Sequence, residues 1–176
     1  MAFSDPAKNI ERFGITEGMR IADFGSGSGH YSIAAAHAVG DSGKVYAIDV
    51  QQGLLKKVKD LSRAEHKNNI EALWGNVELP RGSKLADGIA DGVIIANALF
   101  QFENKDAALT EARRVLKLKG RLFLVEWSDS FGGLGPQTGD VVTAEAARVL
   151  AEKNGFVFDR SIEAGDHHYG LIFRRA

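Results

Sequence analysis

Apolar positions fall in short runs, and the stretches between those runs carry helical spacing. Arg20–Phe24 (RIADF), Lys44–Asp49 (KVYAID), Ile70–Trp74 (IEALW), residues 92–96 (GVIIA) and residues 121–126 (RLFLVE) read as five strands. Residues 31–39 form a helical pattern rich in small side chains. Residues 51–63 and 105–116 are amphipathic at helical period. Thr143 is a good N-cap for a further helix reaching Asn154, with Gly155 as its left-handed stop.

Strands alternating with helices call for a mostly parallel sheet covered on both faces, a three-layer α/β sandwich. The near-continuous apolar runs of the second, fourth and fifth strands suit burial on both sides. The ending differs. Residues 156–162 and 167–173 read as two strands joined by Ala164-Gly165-Asp166, so a seven-stranded sheet is expected to close with a C-terminal antiparallel hairpin. Residues 128–140 are Gly-rich and long for a compact domain, either a lid over the site or a plain connection. With 176 residues the chain suits one domain, taken as 1–176, and is short for two.

Composition narrows the function classes. The net charge is −1, so no global field draws the chain to nucleic acid or an anionic membrane. The local cluster Lys56, Lys57, Lys59, Arg63 and Lys67 reads as the solvated face of a helix. The absence of cysteine removes disulfides, thiolate metal sites and cysteine nucleophiles. The start, Met1-Ala2-Phe3-Ser4-Asp5-Pro6, lacks a basic segment followed by an apolar run. The most apolar windows, 93–100 and 122–127, are far short of the roughly 20 residues that span a bilayer. A cytoplasmic protein is expected.

The chemistry concentrates in Asp23-Phe24-Gly25-Ser26-Gly27-Ser28-Gly29, between the first strand and the first helix. Glycines there permit a sharp turn and let a ligand approach the main chain. A dinucleotide fingerprint needs G-x-G-x-x-G, but the sixth position counted from Gly25 is His30. The pattern is D-x-G-x-G-x-G, and an acid beside the turn disfavours pyrophosphate and suits a cationic ligand. Asp49 ends the second strand, placed either to accept bonds from ribose hydroxyls or to cap the next helix.

At these residues, and at Leu116-Lys117-Leu118-Lys119-Gly120-Arg121-Leu122, the chain resembles the class I S-adenosylmethionine-dependent methyltransferases. Among these it is similar to the small stand-alone enzymes of the quinone-biosynthesis type, with their Rossmann-like fold. The resemblance implies S-adenosyl-L-methionine as cofactor and S-adenosyl-L-homocysteine as product. It implies that Gly25, Ser26, Gly27 and Gly29 wrap the methionine portion, aided by Asp23, Tyr31 and His30. Asp49 would hold the ribose, Val50 and Gln51 would line the adenine and ribose, and Asn76 and Val77 would meet the adenine. Asn76 stands where the family often has an acid, and its side-chain carbonyl can still accept a bond. Asn97 would lie near the methionine end, and Phe100 over the acceptor.

The strand-four end, Ala96-Asn97-Ala98-Leu99-Phe100, lacks the prolines of methyltransferases acting on nucleobase amino groups. Missing cysteines exclude thiolate attack on cytosine and the arsenic-type enzymes. No metal is expected. Methyl transfer depends on positioning, and a general base is needed only where the acceptor must lose a proton. His168 and His167 are the candidate catalytic bases, followed by Glu126 and Tyr169, all at one rim of the sheet. Phe100, Phe102, Trp127 and Phe131 supply either an apolar acceptor wall or core. The expected partner is a small-molecule methyl acceptor. A protein or RNA methyltransferase and a non-catalytic cofactor-binding module are the alternatives, with an NAD-dependent oxidoreductase disfavoured by His30.

Overall fold

The computed structural model describes residues 3–176; Met1 and Ala2, part of the N-terminal stretch read above, lie outside them. One seven-stranded sheet organises the chain, in the order β3-β2-β1-β4-β5-β7-β6. Its strands are β1 (Arg20–Phe24), β2 (Lys44–Asp49), β3 (Ile70–Trp74), β4 (Ala90–Ala96), β5 (Leu116–Trp127), β6 (Phe156–Glu163) and β7 (His168–Arg175). The helices are α1 (Pro6–Phe13), α2 (His30–Val39), α3 (Gln52–Ala64), α4 (Lys105–Val115) and α5 (Ala144–Lys153).

Alternation along the central strands splits the core into two layers. Ala22 and Phe24, Val93 and Ile95, and Leu122 and Leu124 point to one face, where they meet Leu109, Ala112 and Val115 of α4 and Ala147 and Ala151 of α5. Ile21, Ile94, Phe123 and Val125 point to the other, against Ile10 and Phe13 of α1 and Ala35, Ala36 and Val39 of α2. Both faces are covered, which explains why these strands read as continuous apolar runs.

Three features differ from the sequence expectation. The helix α1 has no counterpart in it. Asp5 caps α1 by accepting from the N–H groups of Ala7 (3.1 Å) and Lys8 (3.3 Å), Pro6 opens it, and Gly14 ends it at φ 69°. The expected antiparallel hairpin closes the sheet, but its strands do not follow chain order: β7 inserts between β5 and β6, so β6, parallel to β5, forms the edge. Finally, β5 begins at Leu116 rather than 121, with a turn at Lys119 (φ 63°). The 128–140 segment folds back on the sheet's rim, where Gly135 lies so close to the Trp127 indole that a Cβ would stand 2.5 Å from it.

Strand order reverses between β1 and β4, whose carboxyl ends therefore splay connections to opposite faces and leave a crevice.

Candidate functional site

The crevice is a cavity of about 640 Å³. Its walls come from the loops after β1, β2, β3 and β4 and from the start of the described chain. The glycine loop hooks over β2, with the N–H groups of Gly25 and Ser26 both donating to Ile48 O (2.9 and 3.0 Å). Gly25, Gly27 and Gly29 all take positive φ (72°, 55° and 95°). Only Gly27 opens on space, since a Cβ there meets no protein atom within 4 Å. Gly25 and Gly29 are instead pressed by neighbours, with a Cβ 2.8 Å from Ala98 Cβ and 2.9 Å from Val58 Cγ2 respectively. Gly25, Ser26 and Gly27 line the cavity, while Gly29 serves the packing of α2 against α3.

Asp49 is almost fully buried at the tip of β2. Its Oδ2 accepts from Gly27 N (3.0 Å) and its Oδ1 from Gln51 N (2.9 Å), so one carboxylate fixes both the glycine loop and the entry to α3. Val50 and Gln51 follow it along the wall. Beyond β3, Asn76, Val77 and Glu78 complete this side. Here the Asn76 side-chain carbonyl accepts from Glu78 N (2.9 Å), a local turn bond that uses one of its two lone pairs.

Across the cavity, Asn97 leaves β4 in the left-handed region (φ 53°), and its buried Oδ1 has no hydrogen-bond partner. Ser26 Oγ is likewise buried and unpartnered. Both residues line the cavity, from opposite sides, and a buried polar atom without a protein partner is one that a polar ligand can satisfy. Gln101 and Phe102 continue this wall, and Phe100 does not reach it.

Ser4 and Pro6 form a wall that the sequence reading missed. They are held by a buried knot: Ser4 Oγ lies 2.6 Å from the Tyr31 hydroxyl, and Asn9 Nδ2 donates to that hydroxyl (2.9 Å) and to Ala164 O (3.1 Å). A Cβ on Gly165 would stand 2.8 Å from Ser4 N, so only glycine lets the segment cross the β6–β7 turn.

Asp23 does not line the cavity. It lies beneath the loop, 1% exposed, where it accepts from the Ser32 hydroxyl (2.6 Å) and the Ser32 N–H at the start of α2. Burial raises its pKa to about 7, and the nearby Asp49 adds to the rise. Such an acid holds its proton in the folded state at pH values where the unfolded chain has lost it. The contribution of Asp23 to stability is therefore full below pH 4 and declines as the pH rises toward 7, by an amount of the order of 4 kcal/mol. The Asp23→Asn variant is expected to be free of that decline. Urea unfolding from pH 4 to 8 checks this against wild type; parallel curves would contradict the burial argument. The difference between the curves isolates Asp23 from Glu126, which titrates in the same direction, and from His168, which opposes it because burial lowers its pKa.

The four candidate bases occupy the expected rim, with Glu126 paired to Tyr169 and Trp127 to His168 across β5 and β7. None lines the cavity. His167 sits in the turn before β7 at φ 60°, its Nδ1 2.9 Å from Asp129 Oδ2 and its ring stacked on Phe131 (4.0 Å). His168 packs on Trp127 (4.3 Å between centroids) and its Nδ1 meets Asp166 O at 2.8 Å. Phe3 joins Trp127 and Phe131 in the same cluster. Of the four aromatics expected as an acceptor wall, only Phe102 lines the cavity.

Among the described residues lining the cavity, Asp49 and Glu78 are carboxylates, and there is no lysine or arginine. A methyltransferase-domain family matches residues 15–163. The chain belongs to the methyltransferase-domain family. It is similar to the ubiquinone/menaquinone biosynthesis C-methyltransferase UbiE of Haemophilus ducreyi, 32% identical over 160 residues that cover 81% of this chain and 60% of that protein. It is also similar to the demethylmenaquinone methyltransferase of Lactococcus lactis, 35% identical over 123 residues, 69% of this chain and 47% of that one. The chain thus spans about half to three fifths of the length of these relatives. Among solved structures, a SAM-dependent methyltransferase from Aquifex aeolicus superposes with a TM-score of 0.89 at 27% identity, covering 99% of this chain and 91% of that one. The methyltransferase domain described here is thus of class I, and S-adenosyl-L-methionine is its cofactor. Among the described residues no helix is long and apolar enough to cross a membrane.

Proposed function

We propose that this methyltransferase domain transfers a methyl group from S-adenosyl-L-methionine to a small-molecule acceptor. The observation that carries the reading is a cavity at the strand-order reversal lined by Asp49 and Glu78 and by no lysine or arginine, with the unpartnered Ser26 Oγ and Asn97 Oδ1 elsewhere in its lining residues. The donor set fits the cofactor: Asp49 for the ribose hydroxyls, Gly25, Ser26, Gly27, Tyr31 and Asn97 for the methionine end, and Val50, Gln51, Asn76 and Val77 for the adenine. Asp23 acts from beneath by fixing α2. Carboxylates without a balancing cation suit a ligand carrying sulfonium and ammonium charge better than a pyrophosphate.

When bound, the cofactor supplies a methyl group on a good leaving group. What the chain adds is positioning: Asp49 and the glycine loop would hold the cofactor, and Ser4, Pro6 and Phe102 are further walls of the same cavity. His167 and His168, outside the cavity, hold the hairpin and the 128–140 segment together rather than moving a proton. The names of the relatives make demethylmenaquinone-type quinones the first acceptors to test.

Asp49→Ala is expected to weaken S-adenosylhomocysteine binding by about 1–3 kcal/mol, the scale of lost charge-assisted hydrogen bonds, measured by calorimetry. Unchanged affinity would remove Asp49 from the site. Labelled cofactor turned over against quinone, protein and RNA pools tests the acceptor: label in an organic extract supports the reading, and label in macromolecule or no turnover beside tight binding refutes it.

A further inference from the structure

We propose that Glu126 is a positioning residue whose buried carboxylate clamps the turn 97–102 onto the end of β5 and thereby sets the acceptor-side wall of the cavity. This inference rests on the reading of that cavity as the cofactor and acceptor site.

Glu126 is 1% exposed. Its Oε2 accepts from Phe100 N (3.3 Å), its Oε1 from Trp127 N (2.9 Å), and the Leu99 N–H also donates to it. Burying a carboxylate costs free energy unless it is paired or well hydrogen-bonded. No salt bridge offsets the cost here, since the Lys105 ammonium donates instead to Phe102 O (2.7 Å). Tyr169, opposite on β7, sends its hydroxyl to Val142 O (2.7 Å). The carboxylate therefore serves backbone N–H groups of a single short turn and of the strand it leaves.

That turn carries Asn97, Ala98, Gln101 and Phe102, all of which line the cavity. Other bonds pin its two ends. Asn97 N donates to Val125 O (2.8 Å), and Gln101 Nε2 donates to Asn97 O (2.8 Å). Two bonds within the turn, Gln101 N to Ala98 O (3.0 Å) and Phe102 N to Leu99 O (3.3 Å), and the burial of Leu99 shape its middle, and Glu126 ties the N–H groups of Leu99 and Phe100 to the end of β5. The turn also fits tightly to the cofactor side, because Ala98 Cβ occupies the space that only a glycine at position 25 leaves open. If the middle of the turn moves, Ala98 moves against the glycine loop and the orphaned Asn97 Oδ1 shifts with it. Glu126 thus acts through the turn, and no substrate atom needs to reach it.

The test uses Glu126→Ala and Glu126→Gln in the full chain. Glu126→Ala is expected to raise the dissociation constant of S-adenosylhomocysteine about tenfold and to raise the acceptor KM, with kcat at saturation changed less than threefold. Glu126→Gln keeps one carbonyl acceptor and is expected to recover part of the affinity; it also keeps the question open to measurement if the alanine variant fails to fold. Folded variants with wild-type affinity and wild-type KM would overturn the clamp. So would a Gln variant that binds normally but loses kcat a thousandfold, because that marks a proton-transferring group. Failure of the wild-type chain to bind S-adenosylhomocysteine would instead sink the underlying functional reading.

Discussion

Replacing Gly27 by leucine is expected to cut S-adenosylhomocysteine affinity by more than about 100-fold, above 2.7 kcal/mol, while leaving a folded chain. Gly27 lines the cavity, its N–H is held by Asp49, and a Cβ there touches no protein atom. A side chain at this position has nothing of the fold to displace, so it occupies ligand space. The backbone cost is separate and smaller: at φ 55° a residue with a Cβ pays about 1–2 kcal/mol. Calorimetric titration gives the affinity and urea unfolding gives the backbone cost. A variant that binds like wild type would show that the ligand does not pass the second glycine of the loop. The comparison with Asp49→Ala is informative, because that change removes bonds and leaves the space, whereas Gly27→Leu removes the space and leaves the carboxylate.

The parts of the site that the sequence exposes are those where local chemistry and topology coincide. A glycine turn after an apolar strand, followed by an acid at the next strand's tip 20 positions beyond Gly29, identifies one end of the cavity because each residue sits at the end of its own strand. The parts it conceals depend on contacts distant in the chain. Helix α1 is amphipathic, burying Asn9, Ile10 and Phe13 on one face, and Asp5-Pro6 and Gly14 mark its start and stop, but its eight residues lie outside the strand–helix alternation that organises the rest of the chain. Its role, carrying Ser4 and Pro6 to the cavity, requires Ala164 and Gly165 from the far end of the chain. The sequence points Asp23 toward a cationic ligand because it flanks the glycine turn, and Glu126 toward the acceptor because it ends the fifth strand at the rim. Both are buried, and each is satisfied by neighbours that the linear sequence does not bring together. The insertion of β7 between β5 and β6 is similarly invisible, since a hairpin pattern fixes pairing within the hairpin but not which strand docks on the sheet.

The wall after β3 depends on two glycines that fit into each other's turns, and Gly82→Ala is expected to cost about 3 kcal/mol, the upper end for overpacking. A Cβ on Gly82 would stand 1.8 Å from Asn76 O and 2.9 Å from Leu79 O, and one on Gly75 would stand 2.2 Å from Gly82 O. These obstacles are backbone atoms, so no rotamer change relieves them. The segment cannot simply slide away. Glu111, buried in α4, accepts from Ser83 N (3.1 Å), Ser83 Oγ (2.5 Å) and Arg81 N (3.2 Å), and its partner Arg114 also reaches Leu85 O (2.9 Å). The strain therefore falls on Asn76 to Glu78, the adenine-side wall, and S-adenosylhomocysteine affinity is expected to fall together with stability. Gly53→Ala provides the contrast: it lies inside α3, a Cβ there meets nothing within 4 Å, and alanine should stabilise by about 0.5–1 kcal/mol. Urea unfolding of the two variants separates the cases. If Gly82→Ala proved as benign as Gly53→Ala, the interlocked turn would have to be looser than its geometry implies, and the adenine wall would need another support.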